Sequence, residues 1–331
     1  MTRTGRTRGA GRGAAIVAVA ALAAAMGCAT HDRAPAGERV AVGPDGASAD
    51  PTSPYRDPAS LAVGEILHGR TGRLVSESEL LDYLAALRVV YVGETHDSPQ
   101  DHAVQLAVLR GLAARAPGRL VLGLEMLRRS DQAKADAFVR GEIDEAAFRE
   151  VWAESWGEWE PYAGIVRFAR EAGIRLLALN AEADLVRAVR RHGVDGLPPE
   201  LAGRLPEMRL DDPYHRAYLQ AVFAAHGPGS ARFDRFYEVQ VLWDETMADT
   251  AARALERGGD RVQLVVLAGG GHVRFGFGIP RRLFRRLPAP YAIVLPVHVQ
   301  VSDAKRGRRM DATLPEVPLP AGDFYWAVRY E

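Results

Sequence analysis

The chain has 331 residues, of which 47% are hydrophobic and 25% charged, an ordinary globular composition with enough apolar mass for one large core or two modest ones. Its 42 basic and 42 acidic residues cancel, so no basic surplus exists to support a nucleic-acid partner. Almost all the basic residues are arginine; Lys134 and Lys305 are the only lysines.

The first 28 residues read as an export signal. Arg3, Arg6, Arg8 and Arg12 precede an apolar run from Ala14 to Met26 that ends in small residues and is too short to span a membrane convincingly. Cys28, the only cysteine, follows directly and cannot form an internal disulfide. Ala25-Met26-Gly27-Cys28 resembles a bacterial lipobox, with Ala25 in place of the usual leucine, so Cys28 is expected to carry a lipid and anchor the chain to a membrane. Ala29 follows Cys28 without the aspartate that marks inner-membrane retention in enteric bacteria. The expected place is therefore the cell envelope, at the periplasmic face of the outer membrane. Residues 29–58 are rich in Pro, Gly, Ala and Asp and lack periodicity, which reads as a flexible tether before a domain over 59–331.

Within that domain, Ser76-x-x-Glu79 starts a capped helix with an apolar face. The strand RVVYVGE and a helix over Pro99–Ala116 follow, then the strand RLVLGLEM and a helical stretch over Asp131–Trp152. A helix over Ala163–Ala172 leads to the strand IRLLALNA. Helices over Ala183–His192, Asp211–His226 and Ala231–Arg257 precede RVQLVVLAGGGH and YAIVLPVHV, and DFYWAVRY reads as a last strand on an edge. Continuous apolar strands alternating with helices predict an α/β fold, a mainly parallel sheet covered on both faces. The helical section from Ala183 to Arg257 is expected as an additional subdomain or lid.

Ligands of open parallel sheets bind beyond the carboxyl ends of the strands. Here those ends carry Glu94 and His96, Glu125, Asn180, and His272 after three glycines. Two strands end in Gly-x-x-His, at Gly93–His96 and Gly269–His272, where glycine permits a sharp turn and a close approach to the backbone. His96 and His272 with Glu125 could hold a divalent metal, and a glutamate such as Glu94 could act as a base. A different chemistry is suggested by Trp152, Trp156, Trp159 and Tyr162: an aromatic wall with a tyrosine suits haem, although such residues also serve as core. Arg167 and Arg274 could then pair with propionates, and without Cys-x-x-Cys-His the haem would be held non-covalently. Gln240, Asp244 and Met247 share one helix face, His102 could face either the crevice or solvent, and His215 and His298 have no context that singles them out.

Taken in order, VYVGETHDSPQDHAVQLAVL, LGLEML, WGEWEPYAGIVRFAREAGIRLLALNA, QVLWDETMA and VVLAGGGHVRFGFGIPRRL resemble the ChaN-like haem-binding lipoproteins of the Tiki superfamily, over Arg88–Leu283. The resemblance implies an exported lipoprotein in haem or iron acquisition, served by an uptake transporter, with two haems face to face in a homodimer. Each iron would be held by a tyrosine with a histidine close by. Motif position maps the tyrosine to Tyr162, with Tyr91 and Tyr237 as alternatives, and the histidine to His96 or His272. Relatives in the superfamily include metal-dependent proteases with two Gly-x-x-His motifs and erythromycin-esterase-like hydrolases. Under that alternative Glu94, His96, Glu125 and His272 would be catalytic, and His96, Glu125 and His272 would hold a divalent metal.

Overall fold

A computed structural model describes residue 56 and residues 58–225, 233–308, 313–314, 317 and 319–331. Cys28, the leader and residues 29–55 of the tether lie outside the described residues, as do His226 and Ala231 at the expected helix ends.

The chain forms strands β1 (Ile66–His68), β2 (Arg73–Val75), β3 (Val89–Glu94), β4 (Leu120–Arg128), β5 (Arg175–Asn180), β6 (Gln263–Gly269), β7 (Tyr291–Val301) and β8 (Phe324–Tyr330). They make one eight-stranded sheet in the order β2-β1-β8-β7-β3-β6-β4-β5. From β8 to β5 all neighbours run parallel; only the β1–β2 hairpin and its pairing with β8 are antiparallel. The parallel strands need cover on both faces, and their sequences are apolar throughout for that reason: every residue of β3 and β6 is buried.

The helices are α1 (Glu77–Ala85), α2 (Pro99–Arg115), α3 (Gln132–Val139), α4 (Glu145–Ser155), α5 (Glu160–Glu171), α6 (Ala183–His192), α7 (Pro199–Ala202), α8 (Pro213–Ala225), α9 (Phe233–Gly258), α10 (Ile279–Arg286) and α11 (Asp303–Arg306). One face of the sheet is covered by α1, α2, α3, α4 and α5, which contribute Leu80, Val108, Phe138, Trp152 and Val166 to a single core. The other is covered by α9 and α10 through Met247, Ala251, Leu255, Ile279 and Leu283. The expected α/β fold is thus formed, and the extra helical section packs in two small clusters around Val189 and Tyr237, the second shared with Phe277.

The start of α1 carries the expected capping box, with Glu79 N–H on Ser76 Oγ and Ser76 N–H on Glu79 Oε2. Two expectations fail. The stretch Asp131–Trp152 is not one helix: Gly141 takes a positive φ of 76°, and Asp144 caps a new helix by accepting from Ala147 N–H at 2.9 Å. The last strand is not an edge. β8 lies between β7 and β1, because the three-residue strands of a hairpin around Gly69 and Gly72 extend the sheet beyond it.

From β3 the chain crosses to β4 through α2 on one face; from β6 it crosses to β7 through α10 on the other. Adjacent strands whose connections leave in opposite directions open a crevice at their carboxyl ends. Glu94 and Gly269 stand opposite each other there, in register.

Candidate functional site at the strand ends

Both Gly-x-x-His glycines are required by close packing. A Cβ on Gly93 would sit 2.7 Å from Leu295 Cδ2, and one on Gly269 would sit 2.9 Å from Cε1 and 3.0 Å from Nε2 of His96. His96 therefore lies across the bare backbone of β6.

Glu94 turns its side chain toward α2 and α5 and is fully buried. Its Oε1 accepts the Tyr162 hydroxyl at 2.6 Å and lies 2.6 Å from His96 Nδ1; its Oε2 lies 3.2 Å from His102 Nε2. Burial alone would raise the Glu94 carboxyl, but the imidazoles of His102 and His96 outweigh it and bring it to about 2. As an ionised carboxylate Glu94 only accepts, so the proton shared with His96 sits on Nδ1, while Nε2 lies toward Gly269. The His96 imidazole is 48% exposed and stands edge-on to Trp156 at 4.9 Å. Burial depresses its pKa; the bond to Glu94 and the charge of Glu125 win, and the net shift is upward.

Tyr162 opens α5 beside Pro161, as its place in the sequence suggested, but its ring is sealed among His102, Trp152 and Trp156 at 4.4, 5.3 and 6.5 Å. Burial and the Glu94 charge push its phenol far above the usual range. To reach an iron, Tyr162 would have to leave both that packing and Glu94. Tyr91 is buried against Tyr291, and Tyr237 donates to the Leu210 carbonyl at 3.2 Å.

The second half of the cluster lies toward α9. Glu125 Oε2 accepts Gly269 N–H at 2.6 Å, and its Oε1 lies 3.4 Å from His272 Nε2. His272 Nδ1 lies 2.7 Å from Asp244 Oδ1. Burial lowers the His272 pKa, but the two carboxylates between which it sits carry it well above the usual value and favour the imidazolium. Its charge in turn keeps Glu125 low against burial. Behind Asp244 stands His215, with Nε2 3.5 Å from Oδ2 and Nδ1 3.2 Å from the Arg282 guanidinium. Burial drives His215 down to about 4, so it is neutral and accepts from Arg282. Arg282 then reaches Glu245, which also holds Arg285 and Arg286 at 3.0 and 2.6 Å.

Glu94, His96, Glu125 and His272 thus meet around Gly269. Asn180 serves as a clamp, donating to the Glu125 carbonyl at 2.8 Å. Arg274 folds over Gly270, its Nε 3.1 Å from where a Cβ would stand. Arg167 is elsewhere, in a surface pair with Glu145. His102 faces inward; His298 holds Asp101 at 2.9 Å under Tyr330, outside the cluster. Among the described residues no group of three or more His, Cys, Asp or Glu is placed to hold a metal ion.

Sequence reasoning passed over one surface. A cavity of about 460 Å³ is lined by Tyr214, Phe275, Gly276, Phe277, Arg281, Phe284, Tyr291, Val317 and Leu319. Tyr214, Phe284 and Leu319 are 56%, 47% and 53% exposed, and they are three of the five exposed large apolar side chains among the described residues. Phe275, at φ 56°, is the one non-glycine described residue in the left-handed region, which costs a bulky side chain roughly 1–3 kcal/mol. Its N–H on the Ala321 carbonyl at 2.7 Å and its ring on Phe277 hold it there. The Phe-Gly-Phe-Gly run at 275–278 was the available signal.

A parallel α/β sheet with a carboxylate–histidine network at its switch point and an open aromatic cavity on one flank places the protein in the α/β class. The chain belongs to the haem-binding uptake family of the Tiki superfamily, ChaN, whose model matches residues 80–283. It is similar to the Arabidopsis thaliana chloroplastic protein RETICULATA-RELATED 5, 24% identical over 262 residues, 72% of this chain and 34% of that one. The chain thus spans about a third of that relative. Among solved structures, that of ChaN of Campylobacter jejuni with cofacial haem superposes with a TM-score of 0.60 at 17% identity, covering 79% of this chain and 95% of that one. An erythromycin esterase in its open conformation matches with a TM-score of 0.41 at 14% identity, over 73% of this chain and 78% of that one.

Proposed function

We propose that the protein binds haem non-covalently in the cell envelope and takes part in haem or iron uptake. Family membership supports this reading. The observation that carries it is the concentration of exposed Tyr214, Phe284 and Leu319 on one cavity, in the size range of roughly 300–1,000 Å³ usual for small-molecule clefts. Haem needs an apolar wall, a side-chain ligand and cations for its propionates. The cavity has aromatic rings, a tyrosine and Arg281, so the residues present fit the group. The bound group supplies the iron; the chain's part is to bind, orient and shield it from water. Saturable 1:1 or 2:2 absorbance changes on adding haemin to the full chain support the reading, and their absence overturns it.

In this proposal Cys28 carries the lipid anchor, holding the domain at the periplasmic face of the outer membrane beside an uptake transporter, with a homodimer as the haem-bound form. Cys28→Ser should move the protein from the membrane to the soluble fraction; unchanged fractionation would reject the anchor. One observation favours a second reading, a hydrolase. His96 is half exposed, with Nδ1–H fixed on Glu94 and Glu125 nearby, an arrangement suited to a general base. Ester hydrolysis that disappears in His96→Ala would establish it.

A further inference from the structure

We infer that haem docks in the aromatic cavity beside α8 and α10, with the Tyr214 hydroxyl as the iron's ligand, rather than among the strand-end residues. This inference rests on the haem reading and names its site. Three observations converge on it. First, Tyr214 is the exposed tyrosine of the cavity, and its hydroxyl makes no hydrogen bond among the described residues, whereas the Tyr162 hydroxyl is committed to Glu94 in a sealed pocket. Among the described residues, a ligand arriving from solvent meets the Tyr214 hydroxyl without displacing a hydrogen-bond partner.

Second, the walls are flat and aromatic. The Tyr214 ring stacks on Phe277 at 6.2 Å and 26°, and Phe277 on Phe275 at 5.4 Å and 26°. Phe284 stands edge-on to Tyr291 across the floor. Left-handed Phe275 is part of that stack, and a strained backbone that presents a side chain to a cavity is a signature of ligand contact. The Gly276 beside it keeps the Tyr291 hydroxyl 3.3 Å from where a Cβ would be.

Third, the apolar cavity has a charged neighbour. Arg281 and Phe284 also line a second cavity of about 490 Å³ together with Arg209, Arg282, Arg285, Asp211, Asp212 and Pro213. Arg281 pairs with Asp212 at 2.5 Å and is more than half exposed, so its remaining N–H groups can take a second carboxylate. Arg285 is partly exposed at the same rim. A planar apolar ligand with carboxylates along one edge matches this sequence of surfaces: rings against Phe275, Phe277 and Phe284, carboxylates toward Arg281 and Arg285.

The test is a pair of absorbance titrations of the full chain, one with haemin and one with iron-free protoporphyrin, on the unaltered protein and on Tyr214→Phe, Phe284→Glu, Tyr162→Phe and His96→Ala. The inference expects Phe284→Glu, an exposed position that leaves the core intact, to weaken both ligands at least tenfold. Tyr214→Phe should weaken haemin at least tenfold and change its ferric spectrum while leaving protoporphyrin affinity within twofold. Tyr162→Phe and His96→Ala should leave both unchanged. Haemin binding that survives Tyr214→Phe and Phe284→Glu but is lost in His96→Ala or Tyr162→Phe overturns the inference and moves haem to the strand ends. Cavity variants that alter the oligomer size in gel filtration while leaving haemin and protoporphyrin affinity unchanged also overturn the inference, since the surface would then serve a second copy and not haem. Absence of haemin binding by the unaltered protein instead removes the haem reading itself.

Discussion

Replacing Glu94 by glutamine tests the strand-end network at its centre. The side chain keeps its shape and loses its charge. In the folded protein the carboxyl stands at about 2 against an ordinary value of 4.5, a net displacement that already includes the cost of burying the ion. At about 1.4 kcal/mol per pKa unit, ionised Glu94 contributes on the order of 3 kcal/mol. Because the folded value lies below the unfolded one, that contribution is complete above pH 4.5 and is lost as the pH falls toward 2. Urea unfolding of the two proteins between pH 2 and pH 7 should therefore show Glu94→Gln about 3 kcal/mol less stable at neutral pH, with the two curves meeting near pH 2. His96 should also titrate lower in the variant, since its bond to Glu94 helps to raise it. Equal stability at pH 7, or a gap that stays constant down to pH 2, would refute the reasoning.

Two further substitutions probe the same network. Gly269→Ala places a Cβ 2.9 Å from His96 at a backbone φ of −51° that alanine accepts, so any effect is steric. It should cost about 1–3 kcal/mol and let the His96 titration, followed by NMR, fall back toward that of a free imidazole; an unmoved His96 signal would show that the contact is absent. Asp244→Asn removes one of the two carboxylates that hold His272 charged, leaving a buried imidazolium half-paired, at a cost of about 3–5 kcal/mol. The folded His272 pKa is raised, so the stabilisation it brings is full at low pH and fades as the pH rises through the folded value. The gap to the unaltered protein should narrow in alkaline urea titrations, and a gap that widens there would contradict the assignment.

Much of the fold was legible because its parallel strands are apolar on both faces and end in glycine and charge: β3, β4, β5 and β6 stand where the pattern put them, and the four strand-end residues converge. What escaped has physical reasons. The hairpin of β1 and β2 has strands of three residues, too short to show a period, and without it β8 looks like an edge. The break at Gly141 interrupts a sequence whose flanks are both helical. His215 gains its role only from Asp244 and Arg282, far away in the chain. Tyr162 stands in the first turn of α5, and no local pattern announces that three aromatic neighbours and Glu94 close over it. The aromatic cavity is assembled from α8, the 275–278 turn, α10 and β7, and no local pattern announces such a surface.

Haem binding by this chain is the property on which the proposed function stands. Its most direct test is to add haemin to the purified full chain and follow absorbance to saturation, with stoichiometry from the break point. A haem-binding chain gives a saturable ferric spectrum with one haem per chain. A linear, non-saturating change identical to that of haemin in buffer would contradict haem binding and leave the His96–Glu94 pair, with its hydrolytic reading, as the feature to be explained.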